Sequence, residues 1–339
     1  MPLEREPLMV RIDPDGWLLK TLKFERSTRM LSYQLAHDAD VLGRIEAAEA
    51  LGEKNDEESF NALVTALNND AFWGVRVTVA SALSKLRSAK AQEALIAALQ
   101  TLDATTYSRV RAALASALGA FSAPQQAELA QRSAQVLHDR LEQGDVSYRV
   151  ESAAASALGR TRTGNIEFLT GLLTRPSWMS IVQRGIFAGL AATEDESVVD
   201  IMAQYMNNPA NYPTLRHAAA AGLFILAQKR SLYSDAARQR AVTALCHALE
   251  HDIWPPVRAM AALALLELGE RRAIATLENA ASRELESSVQ RRMRVAAHYL
   301  ATGGKDDEQF KNLRKDLDEV REENRQLKEQ LGSLEARMR

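Results

Sequence analysis

Val110-Arg111-Ala112-Ala113-Leu114-Ala115-Ser116-Ala117-Leu118-Gly119 is the stretch that decides the fold, because its pattern returns along the chain. At 3.6 residues per turn Val110, Leu114, Ala117 and Leu118 fall on one apolar face, Ala115 leaves room for a neighbour, and Gly119 is expected to close the helix in the left-handed region. One such helix cannot bury its own face. Related copies begin at Leu42, Val75, Val150, Val182, Leu215 and Val257, and their equivalent leucines are 51, 83, 118, 158, 190, 223 and 265. The spacings of 32, 35, 40, 32, 33 and 42 residues are those of two-helix solenoid repeats.

A shorter apolar helix and an Asp-, Asn- or Pro-rich turn precede each copy. Leu63 to Arg76 and Leu245 to Arg258 align without a gap, Phe72 with Trp254 and Arg76 with Arg258. The pattern resembles HEAT repeats. The expected fold is all-α: a HEAT-like α-solenoid of helix pairs over residues 27–303, with an N-terminal β-hairpin in 1–26 and a C-terminal coiled-coil helix in 304–339. The hairpin is read from the alternation in Leu8 to Ile12, the turn sequence Asp13-Pro14-Asp15-Gly16 and the apolar run Trp17 to Phe24. An isolated hairpin leaves unpaired edges, so it is read as the remnant of a preceding β-sandwich.

The tail reads as a heptad run, with Phe310, Leu317, Asn324, Leu331 and Met338 at a and Leu313, Val320, Leu327 and Leu334 at d. Asp316 with Arg321 and Glu323 with Lys328 are the g–e pairs of a parallel homodimer, and Asn324 at a central a position favours two strands.

The 339 residues carry 42 Lys and Arg against 44 Asp and Glu, a formal charge of -2. That balance offers no bulk attraction to nucleic acid or anionic membrane, and neither is expected as a partner. No run of 18 apolar residues occurs and the first residues do not read as a signal peptide, so a cytoplasmic location is expected. The single cysteine, Cys246, reads as a small core residue of a reducing compartment.

Two features could carry chemistry. His247-Ala248-Leu249-Glu250-His251 matches the inverted zincin motif, but repeat alignment places Glu250 and His251 on Asn68 and Asn69, the exposed end of a first helix. No phosphate-binding glycine loop, nucleophile elbow or Cys-x-x-Cys string is present. No metal or cofactor site is therefore assigned to this chain. A column of arginines, Arg44, Arg76, Arg111, Arg216 and Arg258, recurs at the start of the second helices, broken by Glu151 and Gln183. Each arginine can pair with a carboxylate of its preceding turn, Asp70 with Arg76 or Asp252 with Arg258; the other reading is a positive inner face that meets peptide carboxylates.

Residues 12–25 and 33–44, from Ile12-Asp13-Pro14-Asp15-Gly16-Trp17 to Asp38-Ala39-Asp40-Val41-Leu42-Gly43-Arg44, resemble the junction of aminopeptidase N-type zinc metallopeptidases, where a β-sandwich hands over to a C-terminal helical domain. The resemblance implies a helical-repeat domain that closes the active-site cavity and limits peptide access, with zinc and the catalytic domains supplied by the parent enzyme. It carries over no catalytic residue, since neither His-Glu-x-x-His nor Gly-x-Met-Glu-Asn occurs here. The alternative is a free-standing HEAT-repeat scaffold that binds a protein on its concave face. HEAT-like bilin lyases are a third reading, supported by no residue beyond the repeats.

Overall fold

A computed structural model describes residues 7–14, 17–19, 24–102, 107–228 and 234–303. The described residues form sixteen α-helices and no strand. They pair as α1 (Thr28–His37) with α2 (Val41–Leu51), α3 (Glu57–Asn69) with α4 (Trp73–Leu86), α5 (Ala89–Thr101) with α6 (Ser108–Leu118), and α7 (Ala127–Gln143) with α8 (Tyr148–Arg160). Four further pairs are α9 (Ile166–Leu172) with α10 (Ile181–Ala192), α11 (Val198–Asn207) with α12 (Pro213–Ala227), α13 (Asp235–His251) with α14 (Pro255–Leu268), and α15 (Ile274–Arg283) with α16 (Ser287–Thr302). The chain divides into two compact units, 1–237 and 238–339.

Local chemistry sets where the helices begin. Ser27, Asp56 and Ser88 each accept a backbone N–H of the first turn of α1, α3 and α5, which satisfies a donor the helix cannot satisfy itself. α4 and α14 start at equivalent positions, Trp73 and Pro255. Pro255 and Pro213 sit where a missing N–H costs nothing. The apolar face read from Val110, Leu114, Ala117 and Leu118 is buried throughout, against α4 and α8 on either side. In the second unit α16 keeps Arg291, Arg292 and Arg294 exposed while Met293, Ala296 and Leu300 are buried.

Two expectations need correction. Gly119 ends α6 with φ -70°, not in the left-handed region. Its small size serves packing instead, since a Cβ there would lie 2.9 Å from the Ala157 Cα of the next second helix. The β-hairpin is absent among the described residues of 7–27: Asp13, at φ 54°, instead accepts the Trp17 and Leu18 backbone N–H groups at 3.0 and 2.9 Å. A side chain there makes the bonds that a cross-strand partner would have made. Residues 15–16 and 20–23 of that expectation, and the whole coiled-coil seam from Phe310 to Met338, lie outside the described residues.

Candidate functional site: the arginine column and the second-helix groove

The column is a ladder between neighbouring repeats. Arg44 donates through Nε and Nη2 to Asp70 at 2.8 and 3.2 Å; Arg111 donates to Asp145 at 3.0 and 2.8 Å; Arg258 donates to Glu284 at 2.6 and 2.7 Å. In every case the carboxylate belongs to the turn of the following repeat, not to the arginine's own turn as the local spacing suggested. The forked guanidinium matches a carboxylate in two bonds, which fixes the angle between repeats as well as their distance.

Each carboxylate has a second task. Asp70, Asp145 and Glu284 accept the backbone N–H two residues on, from Phe72, Ser147 and Glu286 at 2.8, 2.8 and 3.0 Å, which holds the turn that starts the second helix. The column residues likewise serve their own first helix, whose last carbonyls have no intrahelical partner. Arg44 donates to Asp38 O at 2.9 Å, Arg76 to Leu67 O at 2.8 Å and Arg258 to Asp252 O at 2.8 Å. Gln183, which breaks the column, donates to Arg175 O, and Gln290 at the corresponding place in α16 donates to Ala281 O at 2.9 Å. Glu151 reverses the polarity and accepts the Asp145 N–H at 3.0 Å.

Arg111 is 1% exposed and Arg216 3%. Arg216 bonds Asn211 O at 2.5 Å. The ionised carboxylates are held charged. Burial pushes the Asp145 carboxyl up, but hydrogen bonds from Arg111 and Ser147, with the charges of Arg111 and Arg140, bring it below the ordinary range. Glu284 is lowered chiefly by Arg258. Arg11 extends the ladder by one rung, since it contacts Asp38 at 3.4 Å and Asp40 at 2.7 Å. The N-terminal segment thus docks on the first turn much as Arg44, Arg111 and Arg258 join their repeats to the next.

The second helices α2 and α4 leave a groove of about 610 Å³ whose lining includes the small side chains of Ala50, Ser81 and Ala82. Glu46, Glu49 and Glu53 stand along one wall, Thr78 and Lys85 on the other, and Arg26 at the end. The spacing of the three glutamates puts them on one face of the chain leaving α2. Lys85 pairs with Glu53 at 2.5 Å and Glu46 is within electrostatic reach of Arg11, but three glutamates face only Arg26 and Lys85 along the lining, so its balance is negative. Sequence reading placed Ala50 and Ala82 in the repeat copies but assigned no role to this groove, although the recurrent Ala and Ser of the second helices were its signal.

His247 and His251 stack with ring centroids 4.5 Å apart on the exposed side of α13. Among the described residues the groups whose ligand atoms gather within 4.8 Å are instead His138, Asp139 and Glu142 on α7, with the His138 ring stacked on Phe168 at 3.9 Å. Their spacing, one and four residues along a helix, was visible in the sequence. Cys246 is half-buried on α13, and burial pushes its thiol up against a lowering hydrogen bond from Thr276. The thiolate is the reactive form, so a soluble disulfide reagent at pH 7.5 is expected to modify Cys246 far more slowly in the native chain than in the unfolded one. Equal rates in the two states would refute this. No helix among the described residues is long and apolar enough to cross a membrane.

Residues 28–119 match the family of HEAT repeats, which spans α1 to α6. Transcription initiation factor TFIID subunit 2 of Danio rerio and that of Gallus gallus are each 36% identical over 80 residues, 23% of this chain and 7% of theirs. The match thus spans a small fraction of those relatives. Among solved structures, the complex of CpcE and CpcF of phycocyanin lyase from Nostoc sp. PCC7120 is similar with TM-score 0.45 and 20% identity, covering 84% of this chain and 98% of that one. Human deoxyhypusine hydroxylase in complex with glycerol is similar with TM-score 0.34 and 18% identity, covering 81% and 96%. The described residues form helix pairs, and residues 28–119 of them match the HEAT-repeat family.

Proposed function

We propose that the chain is a non-catalytic HEAT-repeat scaffold that holds a basic polypeptide segment in the groove between α2 and α4. The observation that carries this reading is the groove itself: its small side chains admit a backbone closely, and the excess of Glu46, Glu49 and Glu53 over Arg26 and Lys85 favours a positive partner. The ladder arginines have another role. Arg44, Arg111 and Arg258 are committed to carboxylates of the neighbouring repeat, so they stiffen the array and do not compete for peptide carboxylates. Fluorescence anisotropy with a labelled Lys/Arg-rich peptide and a Glu-rich peptide of equal length tests this. The basic peptide is expected to bind, and Glu46→Lys with Glu49→Lys to weaken it at least tenfold; equal binding of both peptides would sink the reading.

A second reading is a helical domain that closes over the catalytic part of an aminopeptidase N-type zinc enzyme, with metal and general base on domains outside this sequence. It rests on the resemblance over 12–51 and on the exposed Trp17, Leu18 and Leu19, apolar surface that a preceding β-sandwich would cover. Trp17 is 84% exposed, a large area for a lone indole in water. The reading frame upstream of Met1 decides between the two, since an in-frame His-Glu-x-x-His favours the enzyme domain and its absence the scaffold.

A further inference from the structure

The residue four or five positions before each column residue lies at the mouth of the turn, and there the first unit repeats a feature that core packing does not explain. Tyr107, Val146, Trp178 and Tyr212 occupy this place in four successive repeats, and all are exposed, Trp178 by 72%, Val146 by 79% and Tyr212 by 80%. Single exposed apolar residues are ordinary on a surface; a row at one structural position is not.

The turns that carry the row are tied side by side. Arg111 with Asp145 joins the third repeat to the fourth, Arg175 bonds Leu141 O at 2.5 Å between the fourth and fifth, and the Ser180 and Thr214 hydroxyls meet at 2.9 Å between the fifth and sixth. The row is therefore one continuous edge of the unit. Its charge is positive. Arg109 and Arg149 stand exposed at the same place on the first turns of α6 and α8, Arg109 with its guanidinium carbon 4.3 Å from the Trp73 ring centroid, while Asp145, the acid of that turn, is 3% exposed beneath Arg111. Where the edge carries its largest side chain the backbone is strained: Met179 and Ser180, next to Trp178, have φ of 49° and 56°. Two consecutive non-glycine residues in the left-handed region cost stability, and that cost here holds an indole out in water.

We propose that this turn edge, from Tyr107 to Tyr212, docks an extended acidic segment of a partner protein whose alternate apolar side chains pack on the row. Trp178 and Tyr212 supply rigid aromatic area, and Arg109 and Arg149 meet the carboxylates, the residue types that dominate binding at protein interfaces. The second helices add to the same sign, since α6, α8 and α12 begin here without a side-chain cap and present the positive ends of their dipoles. The edge lies apart from the α2–α4 groove and would select the opposite charge.

The test is a random twelve-residue peptide library displayed on phage and panned on the full chain, with counter-selection on the Trp178→Ala/Arg149→Glu double variant. Both side chains are exposed, and matching thermal melts of variant and parent establish that the fold is kept. Peptides that survive are expected to be rich in Asp and Glu with interspersed apolar residues. A synthetic survivor should bind at least tenfold more weakly to Trp178→Ala, to Arg149→Glu and to Tyr212→Ala, and lose affinity as salt rises. Survivors without acidic enrichment overturn the proposal, as does a panning in which no peptide distinguishes parent from double variant. It is also overturned if sedimentation shows a dimer of the parent that Trp178→Ala dissolves, because the edge is then covered by a second copy. Charge reversal at Glu46 and Glu49 does not touch the edge, so failure here leaves the groove reading standing.

Discussion

Asp145→Ala is expected to lower the stability of the array by about 3 to 5 kcal/mol in denaturant melts at pH 7, the range for breaking one side of a buried ion pair. The partner, Arg111, is 1% exposed and would keep its charge after both bonds to Asp145 are lost. The Ser147 N–H loses its acceptor as well. Much of the cost is thus the buried guanidinium's loss of its counter-charge and not the worth of the pair. Arg111→Met combined with Asp145→Asn separates the two, since asparagine still accepts the Ser147 N–H and methionine carries no charge; the double variant should recover most of the loss. The pH dependence has a definite sign. The folded carboxyl of Asp145 lies below its ordinary value, so its contribution is complete above about pH 4, the unfolded value, and is lost as pH falls through the folded one. A loss under about 1 kcal/mol for Asp145→Ala would mean that the ladder is not structural, and the inner-face reading of the arginines would return.

The helix-pair period was legible because its carriers are local. Val110, Leu114 and Leu118 repeat at helical spacing, and the same letters recur at 32 to 42 residues, so the pattern itself names the buried face. What lay beyond reach was set by the distance between partners. Arg44 and Asp70 are 26 residues apart and Arg111 and Asp145 34, and nothing local distinguishes them from Arg76 and Asp70, six apart in the chain. Stacking decides, because each turn lies beside the start of the preceding second helix. Gly119 was misread for the related reason that a glycine after a helix usually serves the backbone, whereas here Ala157 of the next repeat needs the space. Among the described residues the N-terminal hairpin does not form, because alternation of apolar residues cannot show whether another strand is present to pair with; the Asp13 carboxylate took the donors. The aromatic edge was readable in principle. Its residues sit at a constant offset from the column, but a reading that follows helical periodicity passes over the residues just outside the helices.

Gly185→Ala should destabilise by about 3 kcal/mol, the upper part of the ordinary range for overpacking, although alanine is the better helix former by about 1 kcal/mol. The cause is the contact between α8 and α10. A Cβ on Gly185 would fall onto the Ser152 carbonyl oxygen and 2.5 Å from the Ser152 Cα, and these are backbone atoms of a helix that cannot turn aside. Gly159 and Gly189 meet across the same contact, where a Cβ on Gly159 would overlap the Gly189 backbone. A methyl group can be accepted only if the two helices separate along their length, which would open the buried contacts of Phe187 and Leu190. Gly171 in α9 is the control, since a Cβ there would meet no atom outside its own helix within 4 Å. Gly171→Ala should therefore stabilise by about 0.5 to 1 kcal/mol, through the smaller freedom of the unfolded chain. The same chemical change with opposite signs at two sites 14 residues apart isolates the steric cause from helix propensity. Equal effects of the two substitutions in denaturant melts would show that α8 and α10 do not approach as closely as their glycines allow.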